Sequence, residues 1–349
     1  MDRDLQLAAA GAFIEGGLVR RYGGPTDARA RVAAEITAVR AGAGLFDVTP
    51  RSRVRIVGPD AASFLDRLLT VAVRPMPVGG GSRAFLLDAR GRIKLAFHLM
   101  RLDEVTFFTD ATPGHGDEII AALDMFHFGE QLHFETGVGA YVALSLHGPK
   151  AGAIVEAIGL PLPEAKHHHT TAAVGGVQVR AVRIDRIGGP GYDLLLPPHG
   201  YGVIWQAAVD AGASPAGHDA LEALRIAAGV PDHPAEFGEH SSPLELDAMD
   251  GISEGKGCYP GQEVIERTLA LGRPPRRLAR LALDRWVDPG TPLTLEGKAA
   301  GELTSVAHLP GDGVVALALV KRRGPDGPWT AADATATERH PPEPGEESR

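Results

Sequence analysis

Residues 253–268 read S-E-G-K-G-C-Y-P-G-Q-E-V-I-E-R-T and hold Cys258, the only cysteine of the 349-residue chain. Glycines stand on both sides of the cysteine, and Pro260 follows two residues after it. Glycine permits positive φ and close backbone approach, whereas proline fixes its own φ. We therefore expect a shaped loop that holds the thiol in a defined place. The following residues, 262–267, suit either a short strand or a helical turn.

The thiol of Cys258 has two interpretations. Lys256 and Arg267 could supply the positive charge that lowers a cysteine pKa, and an accessible thiolate is the reactive form. Lys256 and Cys258 are accordingly our candidate catalytic residues. Alternatively, a lone free cysteine behaves as a small buried hydrophobe.

Length and composition limit the class of protein. A chain of 349 residues exceeds the size at which single cores stop growing, so we expect two or three domains. The formal net charge of −9 argues against nucleic acid and anionic membranes as partners. One cysteine forms no internal disulfide, and the acidic start does not resemble a signal peptide. No apolar stretch is long enough for a membrane span. We predict a cytoplasmic protein.

The pattern along the chain predicts an α+β fold followed by a β module. The tetrapeptides at 58–61 and 148–151 both begin Gly-Pro and end in alanine, and each follows a predicted strand and opens a predicted helix. This similarity predicts duplicated α+β units, as two interleaved domains, over residues 1–275. Asp27 and Asp60 are predicted helix N-caps. Short apolar runs separated by turns predict a barrel over 276–325, and residues 326–349 have the composition of a disordered tail.

The octapeptide K-G-C-Y-P-G-Q-E at 256–263, with Arg267 behind it, resembles the signature of the YgfZ group of folate-binding proteins. These proteins are relatives of the glycine-cleavage T-protein, an aminomethyltransferase. The segments at 189–194 and 224–231 are also similar to that family. The resemblance implies a three-domain, cloverleaf-like fold around a central folate channel in the region 1–275. It also implies tetrahydrofolate or a folate derivative as cofactor.

The resemblance further implies a role in assembling or repairing iron–sulfur clusters through Cys258, with iron–sulfur enzymes or cluster carrier proteins as partners. Asp193 occupies the place of the T-proteins' pterin-binding glutamate, and a carboxylate can accept two parallel hydrogen bonds. Arg225 matches the family's helix arginine. Its alternative is an ion pair with Glu222, and the alternative for Asp193 is a solvent-facing charge on a strand. The remaining candidate folate-binding residues are Tyr259, Gln262, Glu263 and Arg267.

Transfer chemistry is the second functional hypothesis. T-proteins carry G-G-I-x-D-D in a hairpin strand, whereas residues 91–96 here read G-R-I-K-L-A, with Leu95 and Ala96 at the acidic positions. Neither side chain can accept a proton, so the resemblance argues against a classical aminomethyltransferase. The alternative function remains a folate-dependent aminomethyltransferase or demethylase. A third possibility is a binding scaffold in which Cys258 is structural.

The three consecutive histidines at 167–169 are the feature most suggestive of a metal. Adjacent side chains point in different directions, so we interpret the segment as a solvated loop. No metal site is predicted, because the other histidines also lack ligand-like spacing.

Overall fold

The chain forms two α+β units and a C-terminal barrel. The structure is a computed structural model that describes residues 2–23, 27–137, 139–322 and 327–339. Its first part contains, in order, α1 (Arg3–Ala9), β1 (Ala12–Glu15), β2 (Leu18–Tyr22), α2 (Ala28–Ala41), β3 (Gly44–Asp47), β4 (Ser52–Val57), α3 (Ala61–Leu68), β5 (Gly81–Leu87), β6 (Ile93–Arg101), β7 (Thr106–Ala111), α4 (Gly116–Asp124) and β8 (His133–Thr136). The second part contains β9 (Val142–His147), α5 (Ala151–Ala157), β10 (His169–Val174), β11 (Val177–Arg183), β12 (Gly191–Leu196), α6 (Tyr201–Asp210), β13 (Ser214–Pro215), α7 (His218–Ala228) and α8 (Gln262–Ala270).

The strands of the two sheets are interleaved along the chain. The five-stranded sheet has the order β5-β6-β7-β4-β8, and the six-stranded sheet has the order β10-β11-β12-β9-β3-β13. Strand β3 precedes every strand of the five-stranded sheet in the chain, yet it pairs with β9 and β13 of the other sheet. The two units therefore share the N-terminal segment.

The duplicated strand–turn–helix unit is present in both sheets. Gly58 connects β4 to α3, and Gly148 connects β9 to α5. Their φ angles are 156° and 122°. A Cβ at Gly58 would lie 2.1 Å from the Gln131 carbonyl oxygen, and one at Gly148 would lie 2.5 Å from the Val39 carbonyl oxygen. Each turn therefore requires glycine for the same steric reason, and the predicted α+β duplication is confirmed.

A closed barrel follows and reaches further than the sequence predicted. Its strands are β14 (Arg276–Leu283), β15 (Pro292–Leu295), β16 (Lys298–Leu309), β17 (Gly313–Lys321), β18 (Trp329–Ala331) and β19 (Ala334–Glu338), in the order β14-β17-β16-β15-β18-β19. Strand β19 pairs with β14 and closes the barrel.

The barrel boundary at 325 and the disordered tail from 326 are thus wrong for the last two strands. Their alternate residues Trp329, Ala331, Ala334 and Ala336 are buried inside the barrel. Burial of these apolar side chains stabilises a segment whose composition alone indicated disorder. Residues 323–326 and 340–349 lie outside the described residues.

The two predicted N-cap residues stand directly before their helices, but neither side chain makes a capping hydrogen bond. Asp27 has a φ of 57°, and its side chain makes no capping hydrogen bond to α2. The carboxylate of Asp60 instead accepts the Gln131 N–H at 2.8 Å, which ties α3 to the segment before β8. Within the described ranges, none of the helices has both the length and the apolar character that a membrane crossing requires.

Candidate functional site

A central cavity of about 570 Å³ lies where the two sheets, α7 and the barrel meet. Cavities of this size are typical of small-molecule sites. Its charged and titratable wall residues include Arg51, Arg83, His98, Asp110, Arg186, Glu222, Arg225, Asp232 and His233. The wall is therefore far more charged than a hydrophobic core, and the pairing of these charges decides which groups can meet a ligand.

One side of the cavity carries a buried ion network. Asp110 on β7 pairs with Arg51, with Arg53 at 3.2 Å and with Arg186 at 3.3 Å. Arg186 also pairs with Asp193 on β12. Burial raises the pKa of both carboxyl groups, but the neighbouring guanidinium groups outweigh it and hold both pKa values below their ordinary range. Three arginines thus face these two carboxylates, and the nearby carboxylate of Asp232 balances the third positive charge.

Asp193 is engaged in that network. It is 1% exposed, because β12 is an interior strand. The alternative of a solvent-facing charge is therefore wrong. The Ser145 hydroxyl donates to its carboxylate at 2.5 Å, and Arg186 donates to both of its oxygens. Arg186, which lines the cavity, is the member of this pair closer to a ligand. Pterin binding by Asp193 stays a prediction.

Arg225 on α7 uses all five of its N–H donors inside the protein. They reach both oxygens of Glu222, one oxygen of Glu236, the Val230 carbonyl and the Ser305 hydroxyl. The ion pair with Glu222, given above as the alternative, is therefore what the structure shows. Arg225 joins α7 to the barrel strand β16, and its role in folate binding stays a prediction.

Asp232 is a cavity residue that the sequence analysis missed. Its carboxylate accepts the N–H of His233 at 2.8 Å, and among the described residues no side chain donates to it. Burial raises its pKa, but Arg51 and Arg225 outweigh this effect and lower it. Asp232 is thus an ionised carboxylate with acceptor capacity left for a ligand. The available signal was its position between Pro231 and Pro234, which stiffen the segment.

The loop of residues 253–261 presents an exposed Cys258. The prediction of a buried, inert cysteine is therefore wrong. Tyr259 is 8% exposed and packs with Phe85 and Ile93 in one apolar cluster. The Lys256 ammonium donates to the carbonyls of Asp66 and Leu69, at 2.5 Å in the latter case. Burial lowers the pKa of Lys256. The loop is thus attached at both sides of the thiol, and Lys256 bonds to the end of α3.

The structure does not bring the cysteine segment into the cavity wall. None of the six segment residues predicted for the site lines the cavity. They are Lys256, Cys258, Tyr259, Gln262, Glu263 and Arg267. Residues 262–270 form α8. The helix begins at the β5–β6 turn, where Gly261 lies close to the Asp88 carbonyl oxygen. Gln262 bonds to Glu266 within the helix, whereas Glu263 and Arg267 are exposed. The folate-binding and catalytic roles of the six residues stay predictions.

The two positions that lack carboxylates lie on opposite faces of β6. Leu95 is 5% exposed and packs in the core of the five-stranded sheet. Ala96 lines the cavity. A methyl group therefore stands at the cavity surface of this strand.

The interpretation of 167–169 as a solvated loop is wrong. His167 and His169 are buried. His169 begins β10 and contacts the Arg101 carbonyl oxygen at 3.0 Å through Nε2. Pairing within the sheet, rather than metal binding, buries this segment. Within the part of the chain that the structure describes, no cluster of three or more His, Cys, Asp or Glu residues has the geometry for a metal ion.

Comparison with known proteins identifies the class. The family model described as the GCVT N-terminal domain matches residues 6–252, so the chain belongs to this family. An aminomethyltransferase of Streptomyces avermitilis is 28% identical over 301 residues, which cover 83% of this chain and 79% of the relative. A chloroplastic protein of Arabidopsis thaliana that carries the provisional name of a transferase is 26% identical over 92% of this chain and 73% of its own length.

A solved structure supports the fold independently. The glycine cleavage system aminomethyltransferase T of Bartonella henselae superposes with a TM-score of 0.82, covering 96% of this chain and 94% of that one. The two sequences are 24% identical. The α+β fold with its C-terminal barrel is therefore that of an aminomethyltransferase-like protein.

Proposed function

We propose that this protein binds a reduced folate in the central cavity and acts through Cys258 as an accessory protein for iron–sulfur cluster assembly or repair. The observation that carries the folate proposal is the distribution of unused charge around the cavity. Asp232 has free acceptor capacity, and the guanidinium groups of Arg51 and Arg186 line the same cavity.

These charges suit the two ends of a folate. A pterin presents a donor edge, which a carboxylate receives through paired hydrogen bonds. The glutamate tail is anionic, and the guanidinium groups of Arg51 and Arg186 in the wall are suited to hold it. The aromatic linker would contact the apolar part of the wall, which includes Phe97 and Phe237.

The exposed Cys258 supports the second half of the proposal. A thiol on an anchored loop can ligate iron transiently, carry sulfur or exchange with a partner's disulfide. Clusters usually take four thiolate ligands, so one cysteine needs a partner protein to hold a cluster. Iron–sulfur enzymes or cluster carriers are the proposed partners, and a cytoplasmic location remains part of the proposal.

Folate-dependent aminomethyl transfer or demethylation is the second candidate, supported by the names of the relatives. Ala96 weighs against the T-protein mechanism, because no carboxylate projects from β6 into the cavity. Turnover of an aminomethylated carrier protein with tetrahydrofolate would establish the second candidate. Absence of turnover together with folate binding would favour the accessory role.

Calorimetry with 5-formyltetrahydrofolate tests the binding site. We expect Asp232→Asn to weaken binding about 10- to 100-fold, because a charge-assisted contact is lost. Asp193→Asn should also weaken binding, since it releases Arg186 from its partner. The exposed Asp103→Asn is the matched control and should bind normally. Equal affinity for Asp232→Asn and Asp103→Asn would remove Asp232 from the site.

A strain lacking the gene tests the accessory role. We expect its [4Fe–4S] enzyme activities to fall, and we expect the wild-type gene but not Cys258→Ala to restore them. Cys258→Ser shows whether a hydroxyl can replace the sulfur. Full restoration by Cys258→Ala would assign the chain to the scaffold class.

A further inference from the structure

Three side chains lie in succession between the central cavity and the protein surface. His98 on β6 lines the cavity, two residues after Ala96 and on the same face of the strand. Its Nδ1 lies 3.1 Å from Nδ1 of His167. Nε2 of His167 lies 3.6 Å from a carboxylate oxygen of Asp250, slightly beyond hydrogen-bond distance, and it makes no hydrogen bond to any other described residue. The Asp250 side chain is 33% exposed, so the path ends in solvent.

The path fixes the tautomer of each ring. Several partners, including His167, Arg83 and Lys166, outweigh burial and lower the pKa of Asp250, so it is ionised. A carboxylate attracts an N–H, which places a proton on Nε2 of His167. Nδ1 of neutral His167 is then an acceptor, and Nδ1 of His98 must donate to it. Nε2 of His98 consequently carries a lone pair, and among the described residues nothing bonds to it.

The charges around His98 favour its neutral form. Burial lowers its pKa well below the ordinary value, and His167, Arg83, Arg186 and Arg51 add to the effect. Asp110 on β7 lies directly opposite it in the sheet. Asp250 and Lys166 flank the far end of the path. His98 is therefore neutral near neutral pH, and as a weak base it takes up a proton at Nε2 only while its Nδ1 proton leaves.

The surrounding backbone holds the second histidine in an uncommon conformation. His167 has a φ of 67°, which a residue with a side chain rarely adopts. Its N–H donates to the Arg183 carbonyl at 2.7 Å. The Lys166 ammonium fixes Asp250 at 2.7 Å. Local strain of this kind persists where the fold over-determines it, and it concentrates at functional sites.

We propose that His98, His167 and Asp250 form a proton relay that serves a cavity ligand with an ionisable nitrogen. Nε2 of His98 takes the ligand's proton while its Nδ1 proton passes to Nδ1 of His167. The Nε2 proton of His167 then passes to the Asp250 carboxylate, once the 3.6 Å between the two atoms shortens to hydrogen-bond distance, and on to solvent. One proton enters and one leaves, with no change of oxidation state. The relay rests on the proposed function in that a reduced folate is such a ligand.

Nitrogen-15 NMR of the full chain labelled at histidine tests the relay without ligand. We expect His98 to be protonated at Nδ1 only and His167 at Nε2 only. Asp250→Asn should lower the titration midpoint of His167 by about one unit, because a stabilising negative charge is lost. His133→Gln is the control, since His133 pairs with Glu135 on the exposed edge strand β8. A proton on Nε2 of neutral His98, or an Asp250→Asn spectrum like that of the control, would overturn the relay.

Calorimetry in buffers of different ionisation heat provides the second test. Wild-type protein should release close to one proton per tetrahydrofolate bound under oxygen-free conditions in the pH range where the ligand amine is protonated, and His98→Gln should lose this release while still binding. Binding with unchanged proton release in His98→Gln would refute the relay and leave the folate proposal standing. Absence of any binding by the wild type would refute the folate proposal, and the NMR result alone would then decide the relay.

Discussion

Individual charges in the cavity wall differ in whether the protein itself has already satisfied them. Arg225 and Asp193 are saturated by internal partners, whereas Asp232 and His98 retain free acceptors. The family resemblance pointed to the first two, because their motifs are recognisable in the sequence. It could not point to Asp232 or His98, because their free acceptor capacity depends on how segments distant in the sequence pack around them. Whether a residue can bind a ligand therefore depends on its internal hydrogen-bond partners rather than on its residue type.

Arg225 should be a structural residue of the first importance. Glu236 is fully buried and accepts hydrogen bonds from Arg225, Ser305 and the Asp232 N–H, of which only Arg225 carries a charge. Arg225→Gln should therefore lower the free energy of unfolding by about 3–5 kcal/mol, because it leaves a buried charge without its partner. Urea unfolding measures the change. Arg285→Gln, which removes an exposed pair with Asp333, should shift it by less than about 0.5 kcal/mol. Similar values for both variants would contradict the prediction.

The buried His147 should make stability depend on pH. Its burial lowers the pKa to about 3 from an ordinary value of 6.5. Below pH 6.5 the histidine of the unfolded chain binds a proton, whereas folded His147 stays neutral. Protonation therefore favours the unfolded state, and the free energy of unfolding decreases as the pH falls from 6.5 towards 3. The loss is about 1.4 kcal/mol per pH unit.

His147→Gln should reduce the slope of unfolding free energy against pH by that amount between pH 4 and 6. Glutamine retains a donor for the Ser145 hydroxyl, which His147 contacts at 2.8 Å. Chemical denaturation at several pH values measures the two slopes. Parallel curves for the variant and the wild type would show that His147 does not titrate in this way.

At the scale of elements, the cysteine loop depends on one glycine more than on its neighbours. Gly261 has a φ of 80°, and a Cβ there would lie 2.4 Å from the Asp88 carbonyl oxygen. Gly261→Ala should destabilise the protein by more than the roughly 1 kcal/mol expected for backbone strain alone. Gly255 has a φ of 69°, but a Cβ there would have no atom within 4 Å. Gly255→Ala therefore measures the cost of backbone strain without a steric clash. Thermal unfolding compares the two variants, and equal losses would contradict a steric role for the β5–β6 turn.

Element prediction succeeded where one steric or periodic rule dominated. The glycine turns at 58 and 148 identified the repeated unit, because each requires a residue without a Cβ. It failed at β18 and β19, where composition indicated disorder but the alternation of Trp329, Ala331, Ala334 and Ala336 fills the barrel. It left 262–267 open between strand and helix, because a six-residue run is too short for periodicity to decide. Tertiary packing determined the structure of both the last two barrel strands and residues 262–267.

At the scale of the whole molecule, the barrel is joined to both α+β units by buried charge. Glu245 is 1% exposed and accepts hydrogen bonds from Arg276 on β14 and from Arg92 in the β5–β6 turn. Arg225 joins α7 to Ser305 on β16. Separating the barrel from the α+β units would leave these buried charges without partners, which costs free energy. We therefore expect the described units to unfold together.

Two tryptophans of the C-terminal region test this cooperativity. Trp329 is 3% exposed inside the barrel, whereas Trp286 is 44% exposed and stacks on His308 at 4.9 Å. Trp329→Ala should cost about 3–5 kcal/mol, and Trp286→Ala should cost less than about 1 kcal/mol. Because the barrel is coupled to the sheets, Trp329→Ala should lower one shared transition. In Trp205→Phe protein, whose remaining tryptophans Trp286 and Trp329 both belong to the C-terminal region, far-ultraviolet circular dichroism and tryptophan fluorescence should therefore give coincident unfolding curves. An early fluorescence transition, with the helical signal unchanged, would show that the barrel melts alone and that the charged contacts do not couple it to the cavity.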